Sequence, residues 1–483
     1  MLKENIEMQT LPSLVARLPE IYQPIFDHPE LSLGVSRPCE DRLVQILEIY
    51  DLLSAKLGRP LRVLDLGCAQ GFISLSLAKR GAIVVGVDFC GPNIEVCKAL
   101  AEESPKFKAS FGVGRVEDVI AQMPPDAYDL VLGLSVFHHI VHASSVNAAQ
   151  KMLQMLASKV TIGLFEMALA SEPPGWSRSQ PKNPRDLLSG FAFVHELAVH
   201  GTHLSETKRP FYVASNHYWV LSGRMEAFET WKSEPHGLAN NASGGSRRYY
   251  LSQGTIAKIS YLEHPRHQGP NLESHRQEVA FLLNPPMGFK VPRVFLHGEN
   301  SNETWLAREY LEGDLLLDLL IGSKPYDAHK ILLDILHQLV VLEALGLYHD
   351  DVRVWNILVE PNGHASLIDY GAISPKKKDC GWPHNIFLAF IIFMHEVIEG
   401  KAAIPDPLRL PLLNPESLPE PYKAAAFEML LSPPENWCFA MIRNRLMLPP
   451  SMKMSADRPA YDGFLTLFQA LEEYGKTYRQ LIK

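Results

Sequence analysis

The chain has 483 residues and a net charge of −8 at pH 7, with 46% hydrophobic and 21% charged residues. This length predicts two to four domains with apolar cores, and the negative charge argues against a general nucleic-acid binder. None of the six cysteines forms a C-x-x-C pair, which fits a reducing cytosol, and neither a signal peptide nor a transmembrane segment is evident, although action at a membrane surface stays open.

Residues 61–220 alternate between short apolar strands and helices, as in a doubly wound parallel sheet. The strands are predicted at Arg62–Leu66, Ile83–Asp88, Tyr128–Gly133 and Val160–Phe165, with Phe211–Ala214 and Tyr218–Leu221 closing the sheet. We therefore predict an α/β Rossmann-like domain over residues 1–222.

A different pattern follows a Gly-, Asn- and Ser-rich segment at residues 231–246. A β-hairpin is predicted at residues 248–259, and a strongly apolar helix at Asp327–Leu345. We predict a second, α+β domain over residues 223–450 and a short C-terminal helical tail over residues 451–483.

A glycine loop follows the first predicted strand. Gly67 and Gly71 frame a Gly-x-x-x-Gly turn, which lets the backbone approach a ligand at the carboxyl edge of the sheet. Asp88 ends the next strand, where a carboxylate can accept both hydroxyls of a ribose. Since the loop lacks the G-x-G-x-x-G pyrophosphate pattern, we predict a nucleoside-type cofactor without a diphosphate, S-adenosylmethionine (SAM). The alternative is a Rossmann-like domain with another nucleotide or none.

This loop resembles motif I of the class I SAM-dependent methyltransferases. Gly114–Asp118 resembles their adenine-binding segment, and Leu134–His139 resembles the segment near the methyl-transfer site. The predicted SAM-binding residues are Gly67, Gly71, Asp88, Phe89, Asn93, Gly114, Arg115, Val116, Glu117 and Leu134. His138 and His139 are predicted to hold an anionic methyl acceptor, because transfer to an anion needs alignment more than a general base. The alternative is that either histidine only packs or caps a helix.

A second constellation lies near residue 350. His349–Asn356 matches H-x-D-x-x-x-x-N, and Asp369-Tyr370-Gly371 follows, so the segment resembles the catalytic loop and the D-F-G motif of protein kinases. By this resemblance Asp351 orients the acceptor hydroxyl and accepts its proton, while Asn356 and Asp369 hold Mg²⁺ against the phosphates of ATP. Arg353 is expected to steady the γ-phosphate.

The nucleotide site is predicted upstream of this loop. Lys258, in a segment resembling V-A-I-K, is expected to bind the α- and β-phosphates and to pair with Glu278, with Glu273 as the weaker alternative. The hinge that meets adenine is predicted at Glu309 and Leu311, and Leu358 and Ile368 complete this nucleotide site. The fold expected for the second domain is accordingly a bilobal protein-kinase-like one.

Several kinase elements are absent from the sequence. Asp350 replaces the arginine of the catalytic loop, Tyr370 replaces phenylalanine, and neither a glycine-rich loop before Lys258 nor an A-P-E element is found. These departures favour a kinase that acts on sugars or other small acceptors over a regulated protein kinase. A nucleotide-binding pseudokinase that regulates the methyltransferase, and a scaffold that works without chemistry, are the alternatives.

Taken together, the chain resembles the bacterial O-antigen chain-terminating kinase–methyltransferases of the WbdD type, over nearly its whole length from about Leu14. The matching strings are Leu18–Gln23, Leu64–Gly71, Gly133–His142, Ser246–Tyr249 and His349–Arg353. The resemblance implies that the kinase phosphorylates the non-reducing terminal mannose of a lipid-linked polymannose, and that the methyltransferase then methylates this phosphate with SAM, which ends chain extension.

The resemblance also assigns further residues and partners. It implies that Tyr22, Gln23 and Arg42 help to bind SAM, and that Pro235, Ala242, Ser243 and Arg247 lie near ATP. A phosphate acceptor calls for a cationic site, for which Arg42, His138 and His139 are the expected residues. The implied partners are an undecaprenyl-diphosphate-linked glycan, the mannosyltransferase polymerase and further copies of the chain. The implied location is the cytoplasmic face of the inner membrane.

Overall fold

The computed structural model describes residues 10–202, 206–239, 243–263, 265–402, 410–448 and 461–481. Its contacts divide the chain into two compact units. The first unit reaches Trp231 and includes Tyr250–Gln253, and the second holds Lys232–Tyr249 and the chain from Gly254 onwards. The division falls after Trp231, whereas the sequence predicted it after residue 222.

The first unit is built on a seven-stranded sheet with the order β3-β2-β1-β4-β5-β7-β6. Its strands are β1 Arg62–Leu66, β2 Ile83–Asp88, β3 Lys108–Val113, β4 Tyr128–Leu134, β5 Val160–Glu166, β6 Phe193–His200 and β7 Arg209–Ser215. The strands β1 to β5 are parallel, and β7 runs antiparallel to β5 and to β6. The carboxyl ends of the parallel strands therefore meet along one edge.

Helices cover the faces of this sheet. They are α1 Leu11–Val15, α2 Glu40–Leu57, α3 Phe72–Lys79, α4 Gly91–Glu103, α5 Val116–Gln122, α6 Phe137–Ala143 and α7 Val146–Ala157. One apolar cluster joins strand residues to α5, α6 and α7, and another joins them to α1, α3 and α4. Strands buried on both faces explain the continuous apolar runs of the sequence. The predicted α/β fold is confirmed.

One predicted strand belongs elsewhere. Tyr218–Leu221 (β8) pairs with β9 Arg224–Ala227 in a separate hairpin, and the edge of the large sheet is formed instead by β6. The continuous apolar run at Tyr218–Leu221 indicates a strand but does not specify the strand with which it pairs.

The second unit begins with a strand-rich part. Its strands β12 Thr255–Tyr261, β14 Glu303–Glu309 and β13 Val294–Glu299 form an antiparallel sheet in that order. The strands β10 Thr230–Lys232 and β11 Arg247–Ser252 each contain residues of both units. The helix α8, Pro265–Leu283, packs on β12, β13 and β14. This arrangement places Lys258 of β12 opposite α8.

The rest of the second unit is mostly helical. Its helices are α9 Leu316–Ile321, α10 Ala328–Ala344, α11 Ile386–Glu399, α12 Tyr422–Leu430, α13 Phe439–Leu446 and α14 Tyr461–Leu481. Short strands complete it: β15 Asp314–Leu315, β16 Tyr348–His349, β17 Ile357–Val359, β18 Ala365–Leu367 and β19 Ile373–Ser374. α11 is buried along nearly its whole length, as its uniformly apolar sequence requires. The predicted α+β class of the second unit is confirmed.

None of the described helices combines the length and the apolar character needed to cross a membrane.

Candidate active sites

The glycine loop of the first unit forms a tight cradle after β1. Gly67, Ala69 and Gly71 all have positive φ angles, of 77°, 47° and 76°. A Cβ on Gly71 would lie 3.0 Å from Cys97 Sγ, so both its backbone angle and its close packing require glycine. The loop therefore turns sharply at the carboxyl edge of the sheet, where α3 begins.

Asp88 organises this cradle from the end of β2. Its carboxylate accepts hydrogen bonds from the backbone N–H groups of Ala69, at 2.9 Å, and of Cys90, at 2.8 Å. Gln70 donates from its side-chain amide to Asn93 Oδ1 at 2.8 Å. Since each carboxylate oxygen can accept more than one hydrogen bond, Asp88 keeps capacity for a ligand hydroxyl.

A cavity of about 660 Å³ opens above this cradle. The predicted residues that line it are Tyr22, Gly67, Asp88, Phe89, Asn93, Gly114, Arg115, Val116, Glu117, Leu134, His138 and His139. Phe89 is 80% exposed although its ring is large and apolar, which suits a surface that a planar base would cover. The cavity therefore has the size and the groups for a nucleoside-type cofactor such as SAM.

Three predicted residues do not line the cavity. Gly71 lies behind the cradle as the residue that precedes α3. Gln23 supports the loop, because its side-chain oxygen accepts from Phe72 N at 3.1 Å and its backbone N–H donates to Gln70 Oε1 at 2.9 Å. The guanidinium of Arg42 is buried and binds the carboxylate of Glu166, so the cation expected at this position is already engaged.

Arg42 belongs to a set of buried charges that the sequence did not reveal. We call it the arginine–glutamate cluster, formed by Arg37, Arg42, Arg209, Glu166 and Glu172. All five residues are at most 5% exposed. Burial opposes the charge of Glu166, but Arg37 and Arg42 outweigh it and hold the pKa of that carboxyl below its usual value. The cluster is therefore charged, with arginines in excess over glutamates.

Arg209 brings this cluster to the cavity wall. It is the first residue of β7 and lines the cavity together with Ser135 and Trp176. Its Nε and Nη2 donate to Glu172 at 2.9 and 2.7 Å, and its Nη1 donates to Ser135 Oγ at 3.1 Å. The guanidinium carbon lies 5.3 Å from the centroid of the Trp176 ring. In the sequence, the only signal for this residue is an arginine directly before the apolar run Pro210–Ala214.

The two histidines reach the cavity but do not supply its positive charge. Burial, with smaller contributions from His139, Arg209 and Arg37, lowers the pKa of His138 to about 2. Burial likewise lowers the pKa of His139. Both shifts favour the neutral form of the imidazole at pH 7, whereas the predicted cationic role requires protonated rings. The His138 ring is tilted against Trp176 with 4.3 Å between ring centroids, and its buried Nδ1 has no hydrogen-bond partner among the described residues.

In the second unit, His349 holds the catalytic loop in place. Its Nε2 lies 3.0 Å from the carbonyl of Ile368, and its Nδ1 accepts from Asp351 N at 3.2 Å. The backbone carbonyl of Asn356 accepts from Ile368 N at 2.9 Å. Asp351 and Asn356 are thereby joined to the strand end that carries Asp369, whose φ of 62° is left-handed.

The side chains of the catalytic loop converge on Asp351. Asn356 Nδ2 donates to Asp351 Oδ2 at 2.8 Å, and Trp355 Nε1 donates to the same oxygen at 3.3 Å. Because the Asn356 amide nitrogen is committed to Asp351, its oxygen is the atom left for a metal ion. The described residues contain no cluster of three or more His, Cys, Asp or Glu side chains arranged for a metal. Mg²⁺ sites of nucleotide-dependent enzymes use one or two protein groups with the phosphates, which fits Asn356 and Asp369.

The predicted pairing of Lys258 with Glu278 is present. Lys258 Nζ lies 2.7 Å from Glu278 Oε2, and Arg308 Nε lies 3.7 Å from Glu278 Oε1. Burial opposes the charge of Lys258, but Glu278 outweighs it and raises the pKa of the lysine. The alternative partner Glu273 is exposed and lies 3.3 Å from Lys376 instead. The structure thus supports the stronger of the two predicted partners.

Arg353 does not occupy the position expected for a phosphate contact. Its guanidinium is 1% exposed and binds Asp379 through two nitrogens, at 2.5 and 3.0 Å. Its Nε lies 3.7 Å from Asp351 Oδ1. Contact with a phosphate would break a buried ion pair, which is costly, so the structure favours a role in positioning Asp351.

Tyr370 and Gly371 connect this site to α8. The buried Tyr370 ring stacks on Phe281 of α8, with 5.7 Å between centroids and an angle of 15° between planes. A Cβ on Gly371 would lie 2.8 Å from the backbone oxygen of Ser274, so glycine permits the close approach of α8. This packing couples the Glu278 helix to the segment after Asp369.

The other residues that were predicted to bind ATP differ in their contacts and burial. Ser243 Oγ donates to Glu234 at 3.1 Å, Arg247 Nε donates to Asn271 at 3.0 Å, and Glu309 ends β14 opposite Thr255. Pro235 precedes His236, whose ring stacks on Trp355 at 5.1 Å. Leu311 and Ile368 are half-buried, and Leu358 is buried in β17. Ala242 lies outside the described residues.

Comparison with known proteins agrees with a methyltransferase-like first unit and a kinase-like second unit. A methyltransferase-domain family model matches residues 63–159. The chain is 43% identical, over 89% of its length, to an Escherichia coli protein described as the O-antigen chain terminator bifunctional methyltransferase/kinase WbdD, and it spans 62% of that protein's length. A solved structure of the bifunctional kinase–methyltransferase WbdD is 40% identical, with a TM-score of 0.79 over 96% of this chain and 100% of that one. Another, with its C-terminal bundle ordered to residue 505, has a TM-score of 0.83 at 39% identity and covers 97% of each chain.

Proposed function

This chain belongs to the WbdD family of bifunctional kinase–methyltransferases, and we propose that it caps the end of an O-antigen glycan by two consecutive transfers. The second unit phosphorylates a hydroxyl of the terminal sugar, and the first unit methylates the resulting phosphate. The capped end has no free acceptor hydroxyl at that position, so chain extension stops there. The observation that carries this proposal is that one chain holds a nucleoside-sized cavity and a kinase constellation and is similar to WbdD over both.

In the first step, the acceptor hydroxyl oxygen bonds to the γ-phosphorus of ATP as the bond to the β,γ-bridging oxygen breaks, and ADP leaves. Asp351 takes the hydroxyl proton, and Lys258, held by Glu278, binds the α- and β-phosphates. Asn356 and Asp369 would hold Mg²⁺, which neutralises charge on the β- and γ-phosphates. We propose a terminal mannose as the acceptor, within an undecaprenyl-diphosphate-linked polymannose at the cytoplasmic face of the inner membrane.

In the second step, the first unit holds the methyl donor and excludes water from the acceptor. SAM supplies a methyl carbon on a sulfonium, which bonds to a phosphate oxygen as the carbon–sulfur bond breaks with its electron pair to sulfur. The residues that would hold SAM are the loop at Gly67, the carboxylate of Asp88 and the ring of Phe89. No proton moves in this step, so the cavity needs no general base. This agrees with the low basicity of His138, whose pKa is lowered to about 2.

The proposal is tested with a short synthetic mannoside, ATP, Mg²⁺ and SAM labelled in its methyl group. We expect methyl incorporation only when ATP is present, together with one phosphate per glycan measured by mass spectrometry. Methyl transfer at full rate without ATP would overturn the sequential reaction. The variant Asp351→Ala tests the alternative in which the second unit is a regulatory pseudokinase. In that case Asp351 has no catalytic role, and the variant would still form product.

A further inference from the structure

The wall of the SAM cavity that carries Arg209 is built unlike the rest of the cavity. The nucleoside side is formed by the glycine loop, Asp88 and Phe89, whereas Ser135, His138, His139, Trp176 and Arg209 line the wall after β4 and at the start of β7. The proposed function assigns the nucleoside side to the cofactor but leaves this second wall without a ligand.

Positive charge is in excess behind this wall. The arginine–glutamate cluster holds Arg37, Arg42 and Arg209 against Glu166 and Glu172, all buried. Asp41, which contacts Arg42 from outside, is half-exposed and therefore screened by water. Burial is the main cause of the lowered pKa values of His138 and His139, and the positive charge of Arg209 contributes to both.

The wall also presents hydrogen-bond donors to the cavity. Arg209 uses Nε and Nη2 once each on Glu172 and Nη1 once on Ser135, and Nη1 also lies 3.8 Å from Glu166 Oε1. Of the five N–H donors of the guanidinium, one on Nη1 and one on Nη2 therefore remain for a ligand. The side chain is held rigidly by Glu172 below and by the Trp176 ring beside it. His138 adds a buried Nδ1 without a partner among the described residues. In the neutral tautomer that carries its hydrogen on Nδ1, this atom is a further donor. Rigid, desolvated donors of this kind recognise phosphate oxygens.

We infer that Arg209, positioned by Glu172 and Trp176 and assisted by His138, binds the anionic methyl acceptor, and that this wall selects a phosphate monoester over a neutral sugar end. The inference rests on the proposed function. It identifies the residues that make phosphorylation precede methylation. A sulfonium and the arginine–glutamate cluster are both positive, so they repel each other across the cavity until an anion lies between them. A sugar hydroxyl cannot offset this repulsion, whereas a monoester with about two negative charges can. The unphosphorylated glycan is therefore a poor acceptor because of the charge of the site itself.

The inference predicts that acceptor and donor bind with positive coupling. The experiment measures, by calorimetry on the whole chain without ATP, the affinities of sinefungin, a cationic unreactive SAM analogue, and of neutral S-adenosylhomocysteine. Each is measured with and without a saturating mannose phosphate monoester. We expect the phosphate to tighten sinefungin binding about tenfold, and to tighten S-adenosylhomocysteine binding less than about threefold. A methyl mannoside without phosphate is expected to change neither.

Substitutions identify the responsible residue. Arg209→Gln is expected to lose the tightening to within about twofold, and yet to bind sinefungin alone at least as tightly as the parent chain, because one repelling charge is gone. Damage to the fold would weaken sinefungin binding instead. Arg209→Lys is expected to keep part of the coupling, and Arg80→Gln, which removes an exposed arginine paired with Asp51 outside the cavity, is expected to keep all of it. Since Arg209→Gln leaves Glu172 buried and unpaired, Arg209→Gln/Glu172→Gln is the second variant, with the same expected loss.

The outcomes separate this inference from the proposed function. Full coupling in Arg209→Gln and in the double variant would overturn the role of Arg209 and leave the sequential reaction standing. No coupling in the parent chain, together with methyl transfer that depends on ATP, would overturn the electrostatic selection alone. No coupling and no ATP-dependent methyl transfer would overturn both.

Discussion

The two sites of this chain have opposite charge. In the first unit, buried arginines outnumber glutamates behind the cavity wall, and the histidines there are neutral. In the second unit, the carboxylates of Asp350, Asp351, Asp369, Asp379 and Glu278 outnumber by one the cations of Arg247, Lys258, Arg308 and Arg353 with which they interact. One site is therefore ready for an anion, and the other for a divalent cation and a neutral hydroxyl.

This difference matches the change that the proposed phosphorylation makes to the glycan end. A neutral hydroxyl suits a carboxylate-rich centre, and metal-bound ATP compensates the excess negative charge there. Once phosphorylated, the same end carries about two negative charges, which the kinase centre repels and the arginine–glutamate cluster attracts. The proposed order of the two reactions is therefore the one that the charges of the two sites favour.

The largest effect is expected from Asp351→Asn, which removes the proton acceptor but keeps the shape of the side chain. Sugar phosphorylation should fall about 10³-fold, in the range typical of lost general bases. Methyl transfer to a glycan that is already phosphorylated should be unchanged, because that reaction uses the other site. The measurement is initial rates with labelled ATP and, separately, with labelled SAM on a chemically phosphorylated mannoside.

Asp327→Asn is the matched control for this substitution. Asp327 caps α10 through Lys330 N at 2.9 Å, and asparagine caps a helix about as well. Both rates should be unchanged in this variant. If Asp351→Asn also reduced methyl transfer to the phosphorylated mannoside, the two sites would not be chemically independent and the comparison would fail.

The second prediction concerns the buried pair of Arg353 and Asp379. Arg353→Met leaves Asp379, at 2% exposure, without its partner and should lower the free energy of unfolding by about 3–5 kcal/mol. Arg353→Met/Asp379→Leu removes both charges and should restore most of this stability. Urea unfolding monitored by tryptophan fluorescence measures both effects.

The same double variant separates positioning from stability. If Arg353 orients Asp351, the stable double variant should still have a kcat lowered about tenfold with an unchanged KM for ATP. Recovery of kcat along with stability would show that the pair only stabilises the fold.

The two sites also differ in how far the sequence predicts them. The residues of the kinase centre lie within short motifs, because a single turn and the following strands carry Asp351, Asn356 and Asp369. The glycine loop and Asp88 are local in the same sense, since each follows one strand of a parallel sheet. Local patterns of this kind are determined by backbone geometry and can be read directly from the sequence.

The arginine–glutamate cluster could not be found in that way. Arg37, Glu166, Glu172 and Arg209 come from separate segments, and only the pairing of β5 with β7 brings the last three together. Arg42 and Arg353 were predicted to contact ligands from the resemblance to known families, whereas the structure pairs each with a buried carboxylate. The sequence gives the residue types but not their partners, and the partners decide which cation is left for a ligand.

The smallest effect is expected from a change of pH, which alters the stability of the first unit through His138. In the folded chain its pKa is lowered to about 2 by burial and by the field of His139, Arg209 and Arg37, while an unfolded histidine has a pKa near 6.5. Below pH 6.5 the unfolded chain therefore takes up a proton that folded His138 does not. This stabilising contribution is complete above pH 6.5 and is lost as the pH falls, by about 2 kcal/mol between pH 7.5 and pH 5.

His138→Gln removes this titration but keeps a polar side chain beside Trp176. Hydrogen-exchange mass spectrometry on peptides from β4 and β5 reports the opening of the first unit by itself. The loss of protection between pH 7.5 and pH 5, after correction for intrinsic exchange, should be about 2 kcal/mol smaller in His138→Gln than in the parent chain. Equal losses in both chains would mean that folded His138 already carries a proton at pH 5. The wall would then be less positive than the arginine–glutamate cluster implies, and its contrast with the kinase centre would rest on the carboxylates of the second unit alone.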